Sequence, residues 1–113
     1  MSTLPSSNGW AAPAEASRAI REAAVAELVE LFGLTVRQLR EQQHWSQEEL
    51  AARSELNRSY VGEVERGRVV ASLATAQKLA AALELNLATL LVRCEQTGRH
   101  RIAQRINLAA IAS

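Results

Sequence analysis

Ser46-Gln47-Glu48-Glu49-Leu50-Ala51-Ala52-Arg53-Ser54-Glu55-Leu56-Asn57-Arg58-Ser59-Tyr60-Val61-Gly62-Glu63-Val64-Glu65-Arg66-Gly67 reads as two short helices joined by a tight turn. Ser46 and Glu49 have the S-x-x-E spacing of a capping box, which starts a helix at Gln47. Leu50 and Ala51 give that helix a narrow apolar edge, and Ala51 is small enough for a second helix to cross it closely. Leu56 plugs the turn, Asn57 caps the second helix, and Val61 and Val64 are its inward residues at i, i+3. Arg58, Ser59 and Glu63 remain on the opposite face. A short helix braced by another, with hydrogen-bonding side chains on its free face, is an element suited to entering a DNA groove.

The 113 residues predict one domain. Hydrophobic residues make up 48% of the chain but aromatics only 4%, and both prolines, Pro5 and Pro13, precede the first long periodic segment. Ala, Leu, Glu and Arg dominate and strand-favouring clusters are absent, so the predicted class is all-α. A net charge of +1 does not announce nucleic-acid binding by itself. The distribution says more: residues 1–33 carry −2 (Arg18 and Arg21 against Glu15, Glu22, Glu27 and Glu30). Residues 93–113 carry +3 (Arg93, Arg99, Arg101 and Arg105 against Glu95).

Cys94 is the only cysteine, which excludes an internal disulfide and a cysteine-rich zinc site. It reads as a small, partly buried residue, with a regulatory thiol as the alternative. Residues 1–8 have neither the basic start nor the apolar core of a signal peptide, and no apolar run approaches the roughly 18 residues of a membrane span. A soluble cytoplasmic protein is expected. His44 and His100 are isolated, and H-E-x-x-H, paired cysteines and G-x-G-x-x-G are all missing. No catalytic residue, metal or cofactor is therefore expected, and His44 falls in a turn beside Trp45.

Working outward, residues 1–13 are rich in Ser, Ala, Pro and Gly and read as a disordered tail. Residues 14–33 read as an N-terminal helical extension with two adjacent apolar stripes, Ile20, Ala24, Leu28, Leu31 and Val25, Val29, Phe32. That face is wider than a lone surface helix needs, so it must pack on the domain or on another subunit. Two readings stand at its end. Gly33 or Thr35, the latter with Gln38 as a weak capping box, separates it from the next helix; or one helix runs through Gly33 at a cost of about 1 kcal/mol. Residues 36–43 are helical either way, with Val36 and Leu39 inward. Within a helix-turn-helix domain at 34–93, residues 68–71 are a loop. Ser72 then caps a helix carrying Leu73, Ala76, Leu79, Ala80 and Leu83, and Asn86 caps one carrying Leu87, Leu90 and Leu91. Residues 94–113 form a basic C-terminal extension, whose Ile102, Ile106 and Ala109 share a face of a last helix over 99–111.

Over residues 32–91 the chain resembles the phage-repressor and Cro-like helix-turn-helix family, also called the xenobiotic-response-element family. Residues 45–51 and 55–67 are most similar to its restriction–modification controller branch. The resemblance implies a five-helix lambda-repressor-like fold, here with an extra N-terminal helix and a C-terminal one, and a sequence-specific DNA-binding regulator. It assigns base reading to Arg58, Ser59 and Glu63. Arg58 can donate two bonds to guanine O6 and N7, and Glu63 can accept from cytosine N4; the alternatives for Glu63 are that it merely repels phosphates or pairs with Arg58 in the free protein. Gln47, Asn57, Tyr60, Arg66 and Arg68 are the implied phosphate contacts, and Tyr60 can equally pack on the first motif helix. Arg40 and Glu65 match a structural ion pair of the family, and Gly67 is the glycine that ends the recognition helix in a left-handed turn.

Three positions depart from the wider family. Glu55 stands in the turn where much of it has Gly, which costs of order 1 kcal/mol if the backbone is left-handed. Gly62 removes a side chain from inside the recognition helix; the controller-like branch often shares both features. Val69-Val70 replace the Arg-Asn common in that branch, which puts phosphate contacts from this loop in doubt.

The implied partners are double-stranded DNA and a second copy of the chain on a near-palindromic operator. Leu87, Leu90 and Leu91 are the expected dimer seam, extended by Ile102 and Ile106 or by Ile20 and Leu28; the alternative is that they close the monomer core. Two other classes stay open. One is an antitoxin that binds DNA and grips a protein toxin through its N- or C-terminal extension. The other is a protein-interaction module that reuses the fold.

Overall fold

The computed structural model describes residues 14–112; the expected disordered tail at 1–13 lies outside them. Five helices follow in order: α1 (Ala14–Gln42), α2 (Gln47–Ser54), α3 (Arg58–Glu65), α4 (Leu73–Ala82) and α5 (Leu87–Ala112). No strand occurs among the described residues, so the class is all-α with five helices. Helix α1 packs on α3 and α5, α2 packs on α3 and α4, and α4 packs on α5.

The short helices end and begin where local chemistry directs. Ser46 Oγ accepts from Glu49 N–H at 3.1 Å, Asn57 Oδ1 from Ser59 N–H at 2.8 Å, Ser72 Oγ from Thr75 N–H at 3.1 Å, and Asn86 Oδ1 from Thr89 N–H at 2.8 Å. The expected capping box at Ser46 forms only this half. The Glu49 carboxylate instead accepts from Arg53 Nε at 2.8 Å, because an arginine one turn on competes with a single backbone N–H. His44, Glu55 and Glu84 adopt left-handed backbones at φ 62°, 58° and 61°, so three of the four interhelical turns are closed by a non-glycine residue carrying modest strain. Gly67 closes α3 at φ +71°, with its N–H donating to Val64 and that of Arg68 to Glu63, a Schellman motif.

Residues 14–42 form one continuous helix of 29 residues, and Gly33 is the reason α3 can lie against it. A Cβ on Gly33 would stand 2.2 Å from the Val64 carbonyl oxygen and 2.8 Å from that of Glu65. The glycine is thus a crossing point of two backbones rather than a helix boundary. Thr35 does not cap a new helix either. It is buried, and its hydroxyl donates to Thr97 Oγ1 at 3.0 Å. The C-terminal segment is likewise not a separate helix, since α5 runs unbroken for 26 residues. The expected borders at 33/34 and 93/94 therefore lie inside continuous helices.

The core joins Phe32, Val36, Leu50, Ala51, Val61, Val64, Ala76, Leu79, Ala80, Leu83, Leu90 and Cys94. Its residues come from all five helices, with α1 and α5 packed on each other. Gly98 lies under Leu31, and Arg101 Nη2 pairs with Glu30 Oε1 at 3.0 Å. Beyond this contact both helices project as arms with exposed apolar residues, Ile20, Val25 and Leu28 on α1 and Ile102, Ile106, Leu108 and Ile111 on α5. The radius of gyration, 18.1 Å, exceeds the roughly 13 Å of a compact chain of this length for that reason.

Two apolar assignments change. Leu90 is fully buried in the monomer core and cannot form a dimer seam, because α5 turns that face onto α4 and α1; Leu91, one residue on, is 40% exposed. Leu73 shares the spacing of the inward residues of α4 but is exposed, since the first turn of α4 projects past the core.

Candidate nucleic-acid interface

Helix α3 has only eight residues, so its rigidity must come from its surroundings. Val61 and Val64 are buried in the core, and a buried ion pair fixes the far end. Glu65 accepts from Arg40 Nε at 2.7 Å, from Arg40 Nη2 at 3.0 Å and from Gln47 Nε2 at 3.0 Å. Arg40 also donates from Nη1 to the Trp45 carbonyl at 2.8 Å. The side chains of Arg40 and Glu65 are 11% and 2% exposed, and no buried side-chain polar atom among the described residues lacks a partner. The hydrogen bonds to Glu65 hold the Arg40 guanidinium above its ordinary pKa, so it stays charged. This clamp joins α1, the start of α2 and the end of α3, and it leaves the opposite face of α3 free.

On that face Arg58 and Ser59 are exposed at the first turn, and Arg58 has no ion-pair partner among the described residues. Glu63 lies one turn beyond Ser59 but pairs with Arg66 rather than with Arg58: Arg66 Nη2 lies 2.5 Å and Arg68 Nη1 3.9 Å from Glu63 Oε2. The bond from Arg66 holds the Glu63 carboxyl below the usual carboxylate range. Gly62 leaves open space beside this pair. A Cβ there would lie 3.3 Å and 3.5 Å from the two terminal nitrogens of Arg66, so the guanidinium folds back over the glycine.

The expected phosphate contacts fall into two groups. Gln47 stands at the start of α2, where free N–H groups face outward, although one of its amide hydrogens serves Glu65. Asn57 is committed through Oδ1 to capping α3, and Tyr60 is half-buried against the core. Arg66 and Arg68 are exposed near the end of α3 and converge on one carboxylate. In the loop, Val69 packs on the core while Val70 is exposed, lining an apolar groove with Leu28 and Leu73 instead of a basic surface.

Several contacts escaped the sequence pattern. The Gln47–Glu65 bond spans 18 residues, and the Arg53 guanidinium sits 4.2 Å above the Trp45 ring while binding Glu49. The return of Arg66 over Gly62 had a signal, since the two are i and i+4 on one helical face. No helix of the described residues is long and apolar enough to cross a membrane.

Residues 36–90 match the helix-turn-helix family of Cro/C1 type. Among solved structures, the restriction–modification controller protein C.AhdI from Aeromonas hydrophila is 49% identical with a TM-score of 0.54; the match takes in 97% of that chain and 57% of this one. The clp gene regulator ClgR from Corynebacterium glutamicum is 28% identical with a TM-score of 0.65, over 88% of its chain and 74% of this one. A hypothetical transcription factor, NHTF, from Neisseria is 41% identical with a TM-score of 0.54, over 74% of its chain and 57% of this one. No curated protein matches the chain. The clamped, outward-facing α3 and these likenesses agree: the chain belongs to the Cro/C1-type helix-turn-helix family and is a DNA-binding transcriptional regulator.

Proposed function

We propose that the regulator acts in the cytoplasm, without catalysis, as a symmetric homodimer on a near-palindromic operator. Arg58 and Ser59 read base edges, with Glu63 beside them. Gln47, Arg66 and Arg68 hold phosphates, assisted by the amide of Asn57 and the hydroxyl of Tyr60. The observation that carries this reading is the first turn of α3: exposed, with Arg58 in no ion pair among the described residues, and held by the Arg40–Glu65–Gln47 clamp. A helix of eight residues spans about 12 Å and reaches only a few base pairs. Useful specificity then calls for two such helices roughly 34–36 Å apart.

Support for the dimer comes from an apolar groove between α1, the loop before α4 and the start of α5. Leu28, Val70, Leu73 and Leu91 are exposed around it, and Leu87 is half-buried. Ile102 and Ile106 extend the apolar surface along the α5 arm. Likeness to C.AhdI favours a controller-type role for the central unit, while both arms add surface beyond the length of that relative. Selection of bound sequences from random duplex DNA should return a site with two-fold symmetry. Light scattering should give a dimer that Leu73→Asp with Leu91→Asp dissociates. An asymmetric site, or a monomer at tens of micromolar, would remove the dimer.

A further inference from the structure

The free regulator keeps two of its cationic side chains on a carboxylate of its own recognition helix. Arg66 and Arg68 both converge on Glu63 Oε2, and the Gly62 notch seats the Arg66 guanidinium so that it lies along α3 rather than extending from its end. The carboxylate offers what a phosphate would offer, an anionic oxygen at hydrogen-bond distance from a guanidinium. It stands on the face that approaches DNA, one turn from Ser59. A DNA phosphate must compete with Glu63 for the Arg66 Nη2 donor and for the positions that the two guanidiniums now hold.

We propose that Glu63 is a specificity determinant acting as an internal competitor for phosphate, which holds Arg66 and Arg68 back from DNA of arbitrary sequence. The proposal rests on the regulator reading above. On arbitrary DNA, opening the pair leaves the carboxylate facing phosphates with no donor, which offsets the new phosphate contacts. On a site that presents a cytosine N4 amino group, Glu63 gains a donor in place of Arg66 and the arginines are released without that loss. Glu63 thereby links a base choice to the availability of two backbone contacts. The Glu63 and Arg66 side chains are 37% and 52% exposed, so their substitution leaves the core intact.

Fluorescence anisotropy with a short labelled duplex of random sequence tests this on the full chain, using wild type, Glu63→Gln, Arg66→Ala with Arg68→Ala, and the triple variant. Circular dichroism confirms that each is folded. Glu63→Gln should tighten binding about two- to fivefold, the factor that an exposed ion pair is worth. That gain should vanish in the Arg66→Ala, Arg68→Ala background. No tightening overturns the proposal. So does an equal gain in both backgrounds, which would mean that the charge of Glu63 merely repels phosphates. If no variant binds any duplex, the regulator reading itself falls and the competitor role with it.

Discussion

Gly33→Ala is the substitution whose sign depends most directly on the tertiary structure. In an isolated helix, alanine in place of glycine stabilises by about 1 kcal/mol. Here the added methyl group would stand 2.2 Å from the Val64 carbonyl oxygen, so α1 and α3 must separate until that distance reaches at least 3.0 Å. The contact is with backbone, and no side-chain rotation relieves it. Overpacking of this kind costs about 1–3 kcal/mol. The shift also acts on Glu65, the next residue, whose bonds from Arg40 at 2.7 and 3.0 Å would lengthen. Weakening hydrogen bonds to a buried charge adds about 1–3 kcal/mol. After the propensity gain, the net loss is about 1–5 kcal/mol, a large part of the total for a domain of this size. Urea titration followed by helical circular dichroism should show a lower midpoint at an unchanged slope. Gly62→Ala is the control: its methyl group would meet only the flexible end of Arg66 at 3.3 Å, so its stability should hold or rise by up to about 1 kcal/mol. If Gly33→Ala proves as stable as wild type or more so, the close crossing of α1 and α3 is wrong.

Other outcomes follow from the same geometry. Arg40→Ala and Glu65→Ala should each destabilise by about 3–5 kcal/mol, because each leaves a buried polar partner behind. The double variant should lose less than the sum, and additivity within about 0.5 kcal/mol would remove the clamp. Arg58→Ala should weaken binding to the selected site by about 1–3 kcal/mol and leave random duplex binding nearly unchanged; a uniform loss would make Arg58 a phosphate contact. Burial pushes the Cys94 thiol pKa up despite its contact with the Thr35 hydroxyl, so alkylation at mildly alkaline pH should be slow in the native protein and fast in concentrated urea. Equal rates in the two conditions would contradict the buried position.

What the sequence alone determined lies within one or two turns of the residues concerned. Ser46, Asn57, Ser72 and Asn86 start helices because their side chains reach N–H groups two or three residues on, and Gly67 ends α3 because it accepts φ +71° without strain. The inward face of α3 at Val61 and Val64, and its free face at Arg58 and Ser59, follow from helical periodicity in the same way. Only the packed structure decided the rest. Whether Gly33 broke a helix or admitted another one depended on Val64 and Glu65, some thirty residues away. Leu90 and Leu91 have the same chemistry, and their separation into core and surface came from where α5 crosses α1 and α4. Glu63 had two compatible arginines within reach besides Arg58, and the assembled chain brings Arg66 to hydrogen-bond distance while Arg68 stays at 3.9 Å. Periodicity says which face of a helix a residue occupies; what stands opposite that face is a property of the assembled chain.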